Sequence, residues 1–228
     1  MTSTTPTTSG RYRVLGRPRD PAELLLVSVE GGDTGVDGDS PGGADSSETD
    51  AEEAFAPVYV DTTGYSGGLA ETIDDFHAGA LVDVTLSWPD GEPRFETADI
   101  VAETTFEFYD GVTGIFEAAK ETWMLAEAEN EGMNSRVTKS TDGDPNGALY
   151  VFAKQAGARD LFEEFRTGVT PLDPLVRRVD EAESLPPERE QPRAVFVLRP
   201  ADEPFLVVYV VFRRDGMLAE TIRSTYGN

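Results

Sequence analysis

Apolar and polar positions alternate most cleanly between Leu81 and Trp88. Val82, Val84, Leu86 and Trp88 interleave there with Leu81, Asp83, Thr85 and Ser87. A period of two marks a strand with one face buried. Pro89-Asp90-Gly91 then supplies a tight turn, with proline presetting φ and glycine taking the left-handed position. Alternation returns at Ile100, Ala102, Thr104, Phe106 and Phe108, whereas Phe95 falls on the opposite parity. A bulge or break is therefore expected between Glu96 and Asp99. Upstream, Arg11–Leu15 and Leu24–Val29 read as a hairpin around the turn residues Arg17-Pro18-Arg19-Asp20-Pro21. Pro57–Val60 is a further strand, and Leu69, Ile73 and Phe76 form the stripe of a short helix.

Read in order, residues 11–109 give β-β-β-α-β-β, the element order of the five-stranded OB barrel. The second half mixes types. Val112, Phe116, Ala119, Trp123 and Ala126 make a helical stripe that opens after Asp110-Gly111 and stops near Gly132. Met133–Gly147 reads as a polar loop, and Leu149–Phe152 as a buried strand. Leu161, Phe162 and Phe165 mark a helix ended by Gly168, and Asp173-Pro174 opens another as N-cap and N1. After a Pro/Glu-rich linker at 184–192, Ala194–Arg199 and Phe205–Phe212 form the last strands, the latter apolar on both faces and so expected to be central. The expected fold is thus α+β: a tail at 1–10, an OB-like β-barrel over 11–109 carrying a mobile acidic loop at 31–53, and an α+β second half over 110–228. A weak echo links Val58-Tyr59-Val60 and Leu69–Ile73 with Val208-Tyr209-Val210 and Leu218–Ile222.

Composition narrows the setting. Forty-three acidic residues stand against nineteen basic ones, for a formal net charge of −24, and lysine occurs only at Lys120, Lys139 and Lys154. At molar salt the Debye length is ~3 Å, so such a surface is screened within the reach of one side chain. Abundant acid with scarce lysine is the pattern expected of a halophilic cytosolic protein. Cysteine is absent, which excludes disulfides, thiolate catalysis and cysteine-based metal sites. Met1–Gly10 lacks the cationic and apolar regions of a signal peptide, and Phe205–Phe212 is too short to span a bilayer. A cytoplasmic location with no membrane partner is expected.

Against this acidic background the arginines stand out. Arg11, Arg13, Arg17 and Arg19, beside Tyr12, form the densest positive cluster. They suit a phosphate backbone, with Tyr12 available for base stacking. Asn134, Arg136 and Lys139 lie in the other acid-free polar stretch and form a second candidate surface. The dull reading is that these cations pair with neighbouring carboxylates. Gly64-Tyr65-Ser66-Gly67-Gly68 matches the G-x-S-x-G elbow, making Ser66 a candidate nucleophile. The sole histidine, His77, follows it immediately instead of lying far downstream as in that hydrolase class. Asp142, Asp144 and Asn146 open like a calcium loop, but the twelfth position, where a bidentate glutamate belongs, is Ala153.

The segments Val60–Gly64, Asp110–Gly114 with Glu121-Thr122-Trp123, Met133–Arg136 and Asp142–Gly147 resemble a haloarchaeal protein family of unknown function. The resemblance implies no activity, metal or cofactor. The expectation is a non-catalytic module that binds single-stranded nucleic acid or another polyanion. A serine-type hydrolase at Ser66 and a protein–protein adaptor are the alternatives.

Overall fold

The computed structural model describes residues 5–29, 57–154, 160–181 and 185–227. The expected acidic loop at 31–53 lies outside them. The chain divides into two compact units, Met1–Val101 and Ala102–Asn228, each built as a mixture of strands and helices.

The first unit holds β1 (Thr7–Gly16), β2 (Glu23–Ser28), β3 (Pro57–Asp61), α1 (Gly67–Asp74), β4 (Leu81–Ser87) and β5 (Arg94–Ala102). They form a sheet of order β3-β2-β1-β4-β5. The alternation in β4 is realised as expected: Val82, Val84 and Leu86 are buried with Tyr12, Val14, Leu24, Leu26 and Val60, and Ile73 and Phe76 pack on the same cluster. The expected tail at 1–10 is corrected at its end. Thr7 to Gly10 pair with Ser87 to Val84, because the regular β4 ladder offers them partners. The parity change expected between Glu96 and Asp99 falls inside one strand: Phe95 and, on the other parity, Ala98 and Ile100 pack on the same cluster. β5 runs unbroken, and the interruption falls at Glu103-Thr104, where the chain passes to the other sheet.

β3 and β5 are the edges of this sheet. Among the described residues no backbone ladder joins them, so the barrel is not closed in the expected way. Side chains bridge them instead. Arg94 Nη1 donates to Asp61 Oδ2 at 2.8 Å and Nη2 to the Thr63 carbonyl at 2.6 Å. The Phe95 N–H donates to the Tyr65 hydroxyl at 2.9 Å.

The second unit contains β6 (Thr105–Val112), α2 (Glu117–Glu129), β7 (Met133–Lys139), β8 (Pro145–Ala153), α3 (Leu161–Thr167), α4 (Asp173–Asp180), β9 (Ala194–Pro200), β10 (Phe205–Val211) and α5 (Met217–Tyr226). The sheet order is β6-β9-β10-β8-β7, with β6 and β9 parallel and the other pairs antiparallel. β10 is central, and all seven of its residues are buried. Phe205, Val207 and Tyr209 face one core with Trp123 and Ala126 of α2 and Ile222 of α5. On the opposite parity, Phe152 and Phe108 meet Phe165 and Phe162 of α3 edge to face. Gly168 ends α3 at φ 76°, a conformation that disfavours any side chain.

Two readings of this half change. The polar stretch after Met133 is an edge strand, because each of its residues finds a partner on β8. The helix expected to open at Asp110-Gly111 begins only at Glu117, since β6 continues to Val112 beside β9.

Candidate functional site

In the first unit, the β1–β2 turn and the β4–β5 turn converge on β3 around a groove of about 420 Å³. Asp20 and Glu23 come from the first side, Tyr59 and Asp61 from β3, and Glu92 and Arg94 from the second. Arg19 lies over the Tyr59 ring, its guanidinium carbon 3.6 Å from the centroid. Arg17 Nη1 donates to the Pro21 carbonyl at 2.6 Å and to Thr62 Oγ1 at 2.8 Å, which pins the turn against the end of β3. Gly64, at φ 82°, turns the chain away after β3, and a Cβ there would stand 3.3 Å from Arg94 Nη2.

Two acids of the groove, Asp20 and Asp61, have a local task. The Asp20 carboxylate accepts the Ala22 N–H at 2.8 Å and so shapes the turn. The Thr63 N–H and hydroxyl, with the Arg94 guanidinium, hold the Asp61 carboxyl below its ordinary range despite an opposing cost of desolvation. The Asp61–Arg94 link therefore persists to lower pH than an ordinary carboxylate would allow, and it is lost as pH falls through that depressed value.

The arginine cluster expected from the sequence is split by the fold. Arg11 forks onto Asp83, its register partner on β4, at 2.8 and 3.0 Å. Arg13 is only 2% exposed and donates to the Gly79 carbonyl at 2.8 Å. Tyr12 is buried in the core cluster, and burial pushes its hydroxyl pKa up. These three hold the sheet together, and Tyr12 offers no face to a base. Arg17 and Arg19 remain exposed, and Arg19 borders the groove through the Tyr59 ring.

Asn134, Arg136 and Lys139 belong to the second unit, on edge strand β7. Arg136 forks onto Glu121 of α2 at 2.9 and 3.0 Å. The Asn134 side chain accepts the Ser135 N–H, and Lys139 is exposed. Ser66 caps α1 without a side-chain bond. His77 lies beyond the other end of that eight-residue helix, so ~12 Å of helix stands between nucleophile and base. No Ser–His dyad forms. Asp142 and Asp144 sit in the β7–β8 turn, and Asn146 is engaged by the Thr138 hydroxyl at 2.8 Å.

Tyr59, Asp61 and Arg94 were not singled out by the sequence. Tyr59 falls in the weak internal echo and Asp61 in the family-like segment Val60–Gly64, neither with any chemistry attached, and Arg94 comes three residues after the Pro89–Gly91 turn.

No helix among the described residues is long and apolar enough to cross a membrane. The model of a family of unknown function (DUF6663) matches residues 4–228. No curated protein and no solved structure matches the chain.

Proposed function

The chain belongs to the family of unknown function DUF6663, and we propose that its first unit is an OB-like module that binds single-stranded nucleic acid at the β3 groove. The observation that carries this reading is the Arg19–Tyr59 stack, set where two turns meet one strand. OB modules bind oligonucleotides on the face of strands two and three and on the loops after strands one and four. Cut open between its third and fifth strands, such a barrel has the order β3-β2-β1-β4-β5, the order found in this sheet.

The groove's chemistry decides what part of a nucleic acid it favours. Arg17, Arg19 and Arg94 are outnumbered by carboxylates, so phosphate attraction alone is weak. A base can stack on the outer face of the Arg19 guanidinium or, with Arg19 displaced, on Tyr59, since arginine planes and aromatic rings both serve as platforms. Asp20, Glu23 and Glu92 are acceptors suited to the amino and imino hydrogens of base edges. Binding is thus led by bases, with Arg17 and Arg19 placing the backbone.

The test is fluorescence anisotropy of a short labelled single strand. Arg19→Ala combined with Tyr59→Ala is expected to weaken binding about tenfold or more, given ~1–3 kcal/mol per stacked base. Arg136→Ala, in the other unit, should leave affinity unchanged. Equal affinity in the double variant and the parent removes the assignment.

The acidic surface supports a halophilic, cytoplasmic setting for this module. At −24 formal charges, folding in dilute buffer works against self-repulsion that molar salt screens. The melting temperature is therefore expected to rise from dilute buffer to molar KCl. A flat or falling curve contradicts the halophilic reading.

A further inference from the structure

A second cavity, independent of the β3 groove, opens in the second unit and holds about 680 Å³. β6, β8 and β9 run in the same direction, since β6 is parallel to β9 and β10 is antiparallel to both β8 and β9. Their carboxyl ends, at Asp110, Lys154 and Arg199, all reach this cavity. In open α/β sheets the crevice outside the carboxyl ends of parallel strands commonly holds ligands, and β6 and β9 are such a parallel pair. Leu161 and Phe162 of α3, with Leu206 of β10, supply an apolar wall.

The polar wall is built around one arginine. Arg199 forks onto Asp110 through Nε, at 2.5 Å, and Nη2. Its Nη1 donates to Asp160 at 2.6 Å, and its guanidinium lies 4.4 Å from the Phe162 centroid. The Arg199 hydrogen bonds keep Asp110 ionised well below the usual carboxylate range. Lys154 donates to the Pro200 carbonyl and, at 2.8 Å, to the Glu203 carbonyl. An ammonium has three donors. Among the described residues, the third Lys154 N–H has no protein acceptor and no carboxylate in ion-pair range. Burial, reinforced by the Arg199 charge, lowers the lysine's pKa, as an incompletely solvated ammonium requires.

Charge balance selects the ligand. Asp110, Asp160 and Glu164 line this cavity with Lys154 and Arg199; Arg199 holds the two aspartates, and Glu164 accepts the Thr170 hydroxyl at 2.7 Å. A simple anion placed on Lys154 meets the field of Asp110, Asp160 and Glu203, the carboxylates that act on that lysine. A simple cation meets two fixed positive charges. A molecule carrying both signs satisfies both sets, and an apolar body fills the space against Leu161, Phe162 and Leu206. We propose that this cavity is a binding site for an amino-acid-like zwitterion with an apolar side chain. Its carboxylate takes the third Lys154 N–H, and its ammonium lies on the carboxylate side of the wall.

Calorimetric titration of the full chain with L-leucine tests this, beside two truncated probes. 4-Methylpentanoate lacks the ammonium, and 3-methylbutylamine lacks the carboxylate. L-Leucine is expected to bind at least tenfold more tightly than either. Lys154→Met and Glu164→Gln are each expected to weaken leucine about tenfold. If Lys154→Met fails to fold, the three-probe comparison on the parent chain still decides. Equal binding of the amine marks a cation site, equal binding of the acid marks an anion site, and absence of heat with leucine marks no site; each overturns the proposal.

Discussion

Replacing Arg193 with methionine is expected to destabilise the second unit by about 3–5 kcal/mol, the range for breaking a buried ion pair on one side. The Arg193 side chain is fully buried, and it joins three separate segments. Nη2 donates to Asp180, at the end of α4, at 3.0 Å and to the Pro186 carbonyl at 2.5 Å. Nη1 donates to the Phe212 carbonyl, just past β10, at 2.9 Å. Methionine matches the volume roughly but leaves the Asp180 carboxylate and the Pro186 carbonyl without this donor. The residue's own N–H, bonded to Thr104 Oγ1 at 2.9 Å, is untouched, so the loss belongs to the guanidinium. Adding Asp180→Leu should recover part of the loss, because the orphaned charge is removed with its partner. The sequence places Trp88 in the first unit and Trp123 in the second. A Trp88→Phe background therefore lets denaturant unfolding be read from Trp123 alone. A shift below ~1 kcal/mol, the scale of an exposed pair, would show that the cluster is not what holds these segments.

Phe196→Ala is expected to cost the same unit about 3–5 kcal/mol, as aromatic truncations in closed cores do. Phe196 is fully buried on β9 between β6 and β10. Its ring stacks on Tyr109 at 6.2 Å with 22° between planes, and the Arg223 guanidinium lies 5.5 Å from its centroid. Neighbours on a sheet cannot collapse into the vacated space without breaking ladder bonds, which is why the upper part of the range applies. The same Trp123-monitored denaturation measures it. A loss near that of an exposed substitution would place β9 outside the core.

Strands with one buried face were legible because their alternation is local. Val82, Val84 and Leu86 needed no knowledge of partners, and the unbroken apolar run of β10 announced a central position. β7 was not legible. An edge strand buries little, and Asn134, Ser135, Arg136, Thr138 and Lys139 carry no apolar signal of their own. The passage from β5 to β6 was missed for a related reason: the parity of Ala102, Thr104 and Phe106 runs straight through the interruption at Glu103-Thr104.

The candidate site was legible in part. Arg17 and Arg19 stood out by charge against an acidic chain. That Arg11 is taken by Asp83, 72 positions away, depends on the β1–β4 register. That Arg19 meets Tyr59 depends on the pairing of β2 with β3. Contacts of this range are set by topology, which local pattern does not encode. The acidity itself points to no partner, and its use was to make the arginines of residues 11–19 conspicuous.

We propose that the groove beside Arg19, Tyr59 and Arg94 takes single-stranded nucleic acid. Backbone amide shifts of the isotopically labelled chain, followed during titration with a short single strand, test it most directly. Perturbations are expected at residues 17–23, 57–63 and 92–95, growing to saturation together. Perturbations confined to residues 102–227, or none at a large excess of the strand, would contradict it.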